Sequence, residues 1–478
     1  MRIALLLVLS SLVVGCGDRA SPTDLGQVLD GVPDGVSPDG GAVVAHACVS
    51  PAFKGKLCGP ADRPCAVLLD EIVPGQDTPR NDPPSLVIAP NDAPLVLFAV
   101  PVDGYHGYLG LRGADGTWSV SHLPMEVAQG SLACTNNGHV DLLVDDGAYG
   151  VTHWTGKGDD WTLVETLPAK HVSAHAFAQD HGGVFHASVK LGEHADTVAY
   201  ARRNPTWKMR SLGESFHDAP LALSPGGEPY VASWQRTNDS SGDWKLVLSG
   251  ATSDETITTS SHSSNDNQSF LIALAVVAEG TGEAPYLFFK KSADPSQSSD
   301  LAYARPGGAP GTWILGTIAT DGSPAKCTHE PSYNGEKCSY DYLQHQPLAA
   351  VTTAGGELRL LFARRHFFGD LVAVCYDDSG AGGGGGAPAD AGAGSADGYS
   401  PPTGCHWSGS ENSESRLEMG WLSSTGVERV TLIDDKLLPW FTASARVDSL
   451  GRIHVAVYAY TTSSSIPMLR YMLIGSAP

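Results

Sequence analysis

The stretch Pro220-Leu221-Ala222-Leu223, followed by Gly226-Gly227 and then Pro229-Tyr230-Val231-Ala232, decides the fold. It reads as a short strand opening on proline, a glycine turn, and a second short strand. The pattern recurs along the chain. Ser85-Leu86-Val87-Ile88 leads to Pro94-Leu95-Val96-Leu97-Phe98, and Ser131-Leu132-Ala133-Cys134 leads through Asn137-Gly138 to His139-Val140-Asp141-Leu142-Leu143-Val144. Ser173-Ala174-His175-Ala176-Phe177 leads to Val184-Phe185-His186, and Phe270-Leu271-Ile272-Ala273-Leu274 to Ala284-Pro285-Tyr286-Leu287-Phe288. Pro347-Leu348-Ala349-Ala350-Val351 leads to Leu358-Arg359-Leu360-Leu361-Phe362, and Thr442-Ala443-Ser444-Ala445 to Ile453-His454-Val455-Ala456-Val457-Tyr458.

These are seven units, spaced by about 42 to 50 residues until the last two, which carry insertions. Most units continue into a third strand, such as Thr197–Arg202 or Leu301–Arg305, and a fourth often opens on tryptophan, as at Trp118, Trp161, Trp207 and Trp313. Four short strands per unit at this period predict an all-β fold: a seven-bladed β-propeller of four-stranded blades. The seventh unit supplies only three strands, ending near Ile474. The upstream run Ala66–Ile72 is available as its fourth, so the last blade is expected to be closed by an N-terminal strand, which removes exposed edges. A β-sandwich array or a β-helix is the alternative reading. No amphipathic helical period appears anywhere.

The chain has 478 residues, 42% hydrophobic and 17% charged, with a net charge of −22. So acidic a surface repels nucleic acid, which excludes that class of partner. Nine cysteines are present. Leaving Cys16 aside, the eight others are an even number, which in an exported chain reads as disulfides. None forms a C-x-x-C pair, which argues against a zinc knuckle or a thioredoxin-type redox site. Locality selects Cys327–Cys338 and Cys375–Cys405 as pairs. The partners of Cys48, Cys58, Cys65 and Cys134 are not readable.

At the N-terminus, Met1-Arg2 precedes an apolar run from Ile3 to Leu9, and Leu12-Val13-Val14-Gly15-Cys16 resembles the lipobox of bacterial lipoproteins. The apolar run is too short to span a bilayer. The resemblance implies that residues 1–15 are a signal peptide and that Cys16 carries lipid. It also implies a bacterial outer-membrane location, because Gly17 follows the cysteine where an aspartate would suggest inner-membrane retention. Residues 16–47, rich in Gly, Pro, Asp and Ala, read as a tether, and residues 48–478 as the propeller domain, expected to be a monomer.

Asp115-Gly116-Thr117-Trp118 resembles the Asp-box turn of bacterial sialidase-like propellers, over an architecture that spans roughly residues 61–475. The full Ser-x-Asp-x-Gly-x-x-Trp pattern is not intact in any unit. The Arg-Ile-Pro expected near the start of a sialidase ring is also missing, so sialidase activity is not implied. Zinc-protease, nucleophile-elbow and P-loop motifs are absent. The repeated tryptophans invite a lectin reading, but their place at the start of fourth strands favours packing between blades.

Two insertions, at about 319–345 and 366–415, fall on one expected face, which lines the mouth of the central channel. The second surrounds the glycine-rich run Gly380–Gly394, which reads as a spacer. Residues preceding first strands should ring that mouth: Asp82, His171, His217, Asp218, Asp266 and His345. Asp145, Asp146 and Arg236 end second strands, and Arg364, Arg365 and His366 stand at the base of the second insertion. Histidine and aspartate there could bind a metal or form an acid–base pair, although short polar residues before strands also simply make turns. Arginines on one face suit a carboxylate or an acidic sugar. No metal or other cofactor is assigned.

The sequence thus reads as a non-enzymatic recognition module for a glycan or protein ligand, with Arg236, Arg364, Arg365, His366, His171, His217, Asp218 and His345 as candidate contacts. A glycan-active enzyme (a glycosidase or polysaccharide lyase) and a structural surface protein are the alternatives.

Overall fold

The computed structural model describes residues 53–476 apart from single residues and short gaps, the longer being 75–83, 238–243, 261–270, 292–299, 376–404, 435–442 and 461–466. Within 326–342, 370–375 and 405–411 it describes the path of the backbone. The expected signal peptide (1–15) and tether (16–47), with Cys16, and also Cys48, Asp82, His171, His217, Asp218 and Asp266, lie outside the described residues.

The strand β1 (Cys65–Ile72) comes first in the chain. The first blade is β2 (Ser85–Ile88), β3 (Pro94–Val100), β4 (His106–Arg112) and β5 (Trp118–Glu126). The second is β6 (Gln129–Cys134), β7 (Val140–Asp145), β8 (Val151–Lys157) and β9 (Asp160–Thr166). The third is β10 (Val172–Gln179), β11 (Phe185–Leu191), β12 (Thr197–Arg203) and β13 (Trp207–Glu214). The fourth is β14 (Leu221–Leu223), β15 (Pro229–Arg236), β16 (Trp244–Ser249) and β17 (Asp254–Ser260). The fifth is β18 (Ile272–Glu279), β19 (Gly282–Lys291), β20 (Asp300–Pro306) and β21 (Trp313–Ala319). The sixth adds a strand: β22 (Lys326–Glu330), β23 (Gly335–Thr352), β24 (Leu358–Cys375), β25 (Cys405–Ser423) and β26 (Gly426–Asp434). The seventh is β27 (Ser444–Val447), β28 (Ile453–Tyr460) and β29 (Pro467–Ser476), completed by β1 in the order β1-β29-β28-β27. Every sheet is antiparallel, and together they form a seven-bladed β-propeller. The N-terminal strand closes the last blade, from Cys65 opposite Ser476 to Ile72 opposite Arg470.

Second strands are buried on both faces, because each blade is sandwiched between two others. In β3 all seven residues are buried, and the same holds for β11. Among the described residues, an apolar cluster lies at each blade-to-blade interface. Leu86, Val96 and Phe98 of the first blade meet Tyr458 and Tyr471 of the seventh, and Leu360 and Phe362 of the sixth meet Phe288 of the fifth. Trp118 packs against Tyr471 with ring centroids 5.3 Å apart, and its Nε1 donates to Glu71 Oε1 at 2.7 Å. Buried Trp207 packs against Leu143 and Val151 of the preceding blade. The tryptophans that open fourth strands therefore glue blades together. Small first residues have a bonding role: Ser85 Oγ accepts from Leu132 N at 2.9 Å, and Ser444 Oγ from Leu86 N at 3.1 Å, each across a blade boundary.

The turn from first to second strand repeats in the third, fourth, sixth and seventh blades. Asp180, Ser224, Thr353 and Asp448 each accept, through the side chain, the amide four residues on, at 2.8, 2.9, 3.2 and 2.8 Å. A glycine at positive φ closes each turn. At Gly356 (φ 82°) an added methyl would stand 2.7 Å from the Ala278 carbonyl, so space as well as conformation demands glycine.

In two blades this turn seeds a buried triad. His186 Nδ1 lies 2.6 Å from Tyr200 Oη and its Nε2 lies 3.1 Å from Asp180 Oδ2; His454, Tyr471 and Asp448 repeat these distances. Burial pushes the Tyr200 and Tyr471 hydroxyls up, so each keeps its proton and donates to Nδ1. The Nε2–H then donates to the carboxylate. Burial of Asp448 would raise its pKa, but hydrogen bonds from His454 and Arg452 outweigh that and hold it below the usual carboxylate value. A depressed folded pKa contributes stability above the unfolded value of about 4, and that contribution is lost as pH falls through the folded value. Asp448→Asn is expected to cost about 2 kcal/mol at neutral pH and to flatten the acid limb of the stability curve, as measured by urea unfolding across pH.

Candidate functional site

The first-to-second-strand turns share one face of the ring, the turn face. On the opposite face the sixth blade does something the others do not. Its strands β23, β24 and β25 run 18, 18 and 19 residues, against 7 for β3 and for β11. The excess lies at the start of β23, the end of β24 and the start of β25, so all of it projects from the same face. With β22 it forms one four-stranded antiparallel tongue. Residues 335–345 alone, at about 3.3 Å each, reach roughly 30 Å. The two insertions are therefore one structure, with 376–404 between its strands. β22 lies beside β23, the first strand, at the end of the sheet order opposite β26.

Register sorts the tongue into two faces. Arg364, His366, Asn412, Glu414 and Arg416 fall on the face that looks toward the fifth blade. Arg365 and Phe367 fall on the face toward the seventh. Cys327 stands directly opposite Cys338, and Cys375 directly opposite Cys405.

At the tongue base, on the fifth-blade side, Arg364, His366, Glu414 and Arg416 line a hollow of about 40 Å³ that opens to solvent. Arg364 faces Arg416 across β24 and β25, and His366 faces Glu414. Behind them, buried Glu418 accepts from Arg364 Nη1 at 3.5 Å and lies 3.8 Å from Arg429 Nη1. One strand further in is His345, 2% exposed, whose amide and Nδ1 both lie 2.8 Å from Asp321 Oδ1. Lys290 Nζ approaches the other Asp321 oxygen at 3.3 Å. This buried cluster ties the fifth blade to the root of the tongue. Charges that leave water need such partners.

Of the expected contacts, Arg364 and His366 come together in the hollow, while the others described do not join them. Arg365 is a correction: neighbours along a strand alternate faces, so it points away from Arg364. It is buried, with its guanidinium 4.5 Å from the centre of the Phe367 ring. His345 is likewise a buried structural residue instead of part of an open ring at the channel mouth. Arg236 is exposed at the end of β15 in the fourth blade, with the fifth blade between it and the hollow. Asp146 pairs with the Gly150 amide and holds a turn. Among the described residues, no group of three or more His, Cys, Asp or Glu is placed to hold a metal ion. Arg416 and Glu414 were not anticipated from the sequence.

No protein-family model matches the chain, and no curated protein does. Several solved structures are similar to it at low identity. A fungal lectin, Aleuria aurantia lectin, is 12% identical, with 56% of this chain and 86% of the lectin covered and a TM-score of 0.32. An ulvan lyase of a polysaccharide lyase family is 10% identical, with 86% and 95% covered and a TM-score of 0.43. A neuraminidase-like protein is 10% identical, with 69% and 93% covered and a TM-score of 0.38. The propeller assignment rests on the strand pairing, and these likenesses add no functional argument.

Proposed function

We propose that this chain is a lipid-anchored, monomeric recognition module of the bacterial outer membrane that binds a glycan or protein ligand, without catalysis, through the face that carries the tongue. The observation that supports it is a polar tongue with a charged hollow at its root, set opposite the point where the N-terminal segment joins the ring. That segment docks on the turn face. Leu57 is fully buried between the sixth and seventh blades, and Phe53 packs on the same cluster. Arg359 donates to the Cys58 and Leu57 carbonyls at 2.7 and 3.2 Å, and Cys58 is disulfide-bonded to Cys65.

A second reading has one observation in its favour. The hollow gathers a histidine, two arginines and a glutamate, a set that a glycosidase or polysaccharide lyase would use. Binding without release of reducing ends or unsaturated products supports recognition; product release supports the enzyme.

In this reading the two cysteine pairs are disulfide rungs that stiffen the tongue. Mass spectrometry of the unreduced chain is expected to find Cys327 linked to Cys338 and Cys375 to Cys405, and a free thiol at any of the four contradicts the pairing. Glycan-array binding by the chain carrying Cys16→Ser is expected to disappear in the Arg364→Ala/Arg416→Ala variant. Binding unaffected by that change would place the ligand elsewhere on the ring.

A further inference from the structure

Resting on the reading of the tongue face as a recognition surface, we propose that the hollow clasps an anionic oxygen group of an acidic saccharide, a carboxylate or a sulfate ester, between Arg364 and Arg416. The two arginines stand directly opposite each other on one face of the sheet, on adjacent strands. Arg364 also pairs with buried Glu418, and Glu414 stands in the same lining, so the hollow is a mixed-charge site to which two opposed register positions each bring an arginine. Two neighbouring guanidinium forks match the oxygens of a carboxylate or sulfate, each giving paired N–H donors. His366 lines the same hollow and offers a ring nitrogen beside them.

The surroundings aim the clasp. Glu418 is 2% exposed and sits behind Arg364, so it steadies that guanidinium without filling the hollow. Glu414 is exposed at the rim, opposite His366, where it accepts hydroxyl donors from a sugar ring. At about 40 Å³ the hollow is far smaller than the roughly 300–1,000 Å³ of pockets that enclose a whole small ligand. It therefore seats one charged substituent of a longer chain lying along the tongue. The net charge of −22 does not forbid this: at physiological salt, exposed charges more than about 8 Å away are largely screened, and in the hollow an anion meets the arginines and His366 directly.

The test is calorimetric titration of the full chain carrying Cys16→Ser with hexagalacturonate, a sulfated carrageenan hexasaccharide and neutral cellohexaose. The expected result is binding to at least one acidic probe that weakens as salt rises. Arg416→Gln should weaken it about tenfold or more, and Arg416→Lys, which keeps the charge but not the fork, should recover only part. An unchanged thermal midpoint in both variants separates lost recognition from lost folding. The two acidic probes distinguish a carboxylate from a sulfate. Binding of cellohexaose as tightly as the acidic probes, indifferent to Arg416→Gln, overturns the clasp and leaves a saccharide-recognition role standing. No binding to either acidic probe also overturns it, and the array and product assays then decide the broader reading independently.

Discussion

The structure depends on one pairing between the two ends of the described chain, that of β1 with β29. Without it the seventh blade has three strands and an open outer edge. With it, the two ends of the chain share one sheet. Arg470 holds Asp70 across the seam, and Glu71 accepts from Arg112 and Trp118 of the first blade. The apolar clusters lie between blades and not within them, so each needs both its neighbours in place. A ring opened at one seam loses an interface, and every other blade loses the constraint that fixes its tilt. The docked segment with Leu57, the Arg359 bonds and the Cys58–Cys65 bridge protects that seam. It also joins just ahead of β1, so a pull on the N-terminus falls first on the bridge and the latch and only then on the closing strand.

The same geometry separates two poles. Repeated tight turns with their buried Asp–His–Tyr triads make the turn face compact. The opposite face carries longer connections, and there the sixth blade could extend three of its strands without disturbing the ring. A tongue grown by lengthening existing strands keeps its hydrogen bonds in register down to the core, and the His345–Asp321–Lys290 cluster braces it where it leaves the ring. This is how a rigid fold positions polar side chains at a distance from its own centre.

Much of this was legible in the sequence. The strand–glycine–strand units, the tryptophans that open fourth strands and the upstream run at Ala66–Ile72 are local patterns whose physical meaning is the same wherever they occur. The tongue was harder to read. Its strands mix glycine, charged and aromatic residues, and its one apolar run, Leu371–Cys375, leads straight into the glycine-rich segment, so both segments looked like inserted loops. Arg416 is about fifty residues from Arg364 in sequence, and only the register across 376–404 makes them neighbours. Arg365 could have been set aside from sequence alone, since alternation sends it to the face opposite Arg364. His345 looked like a surface residue because its partners, Asp321 and Lys290, come from another blade.

The most direct test of closure is native-state hydrogen exchange read by mass spectrometry on the residues of β1. If the N-terminal strand closes the ring, amides in 65–72 that bond to β29 exchange as slowly as those of the buried second strands, by the same global opening. Rapid exchange confined to β1, with β28 and β29 still protected, would mean that the seventh blade stands without it and that closure is not what holds the molecule together.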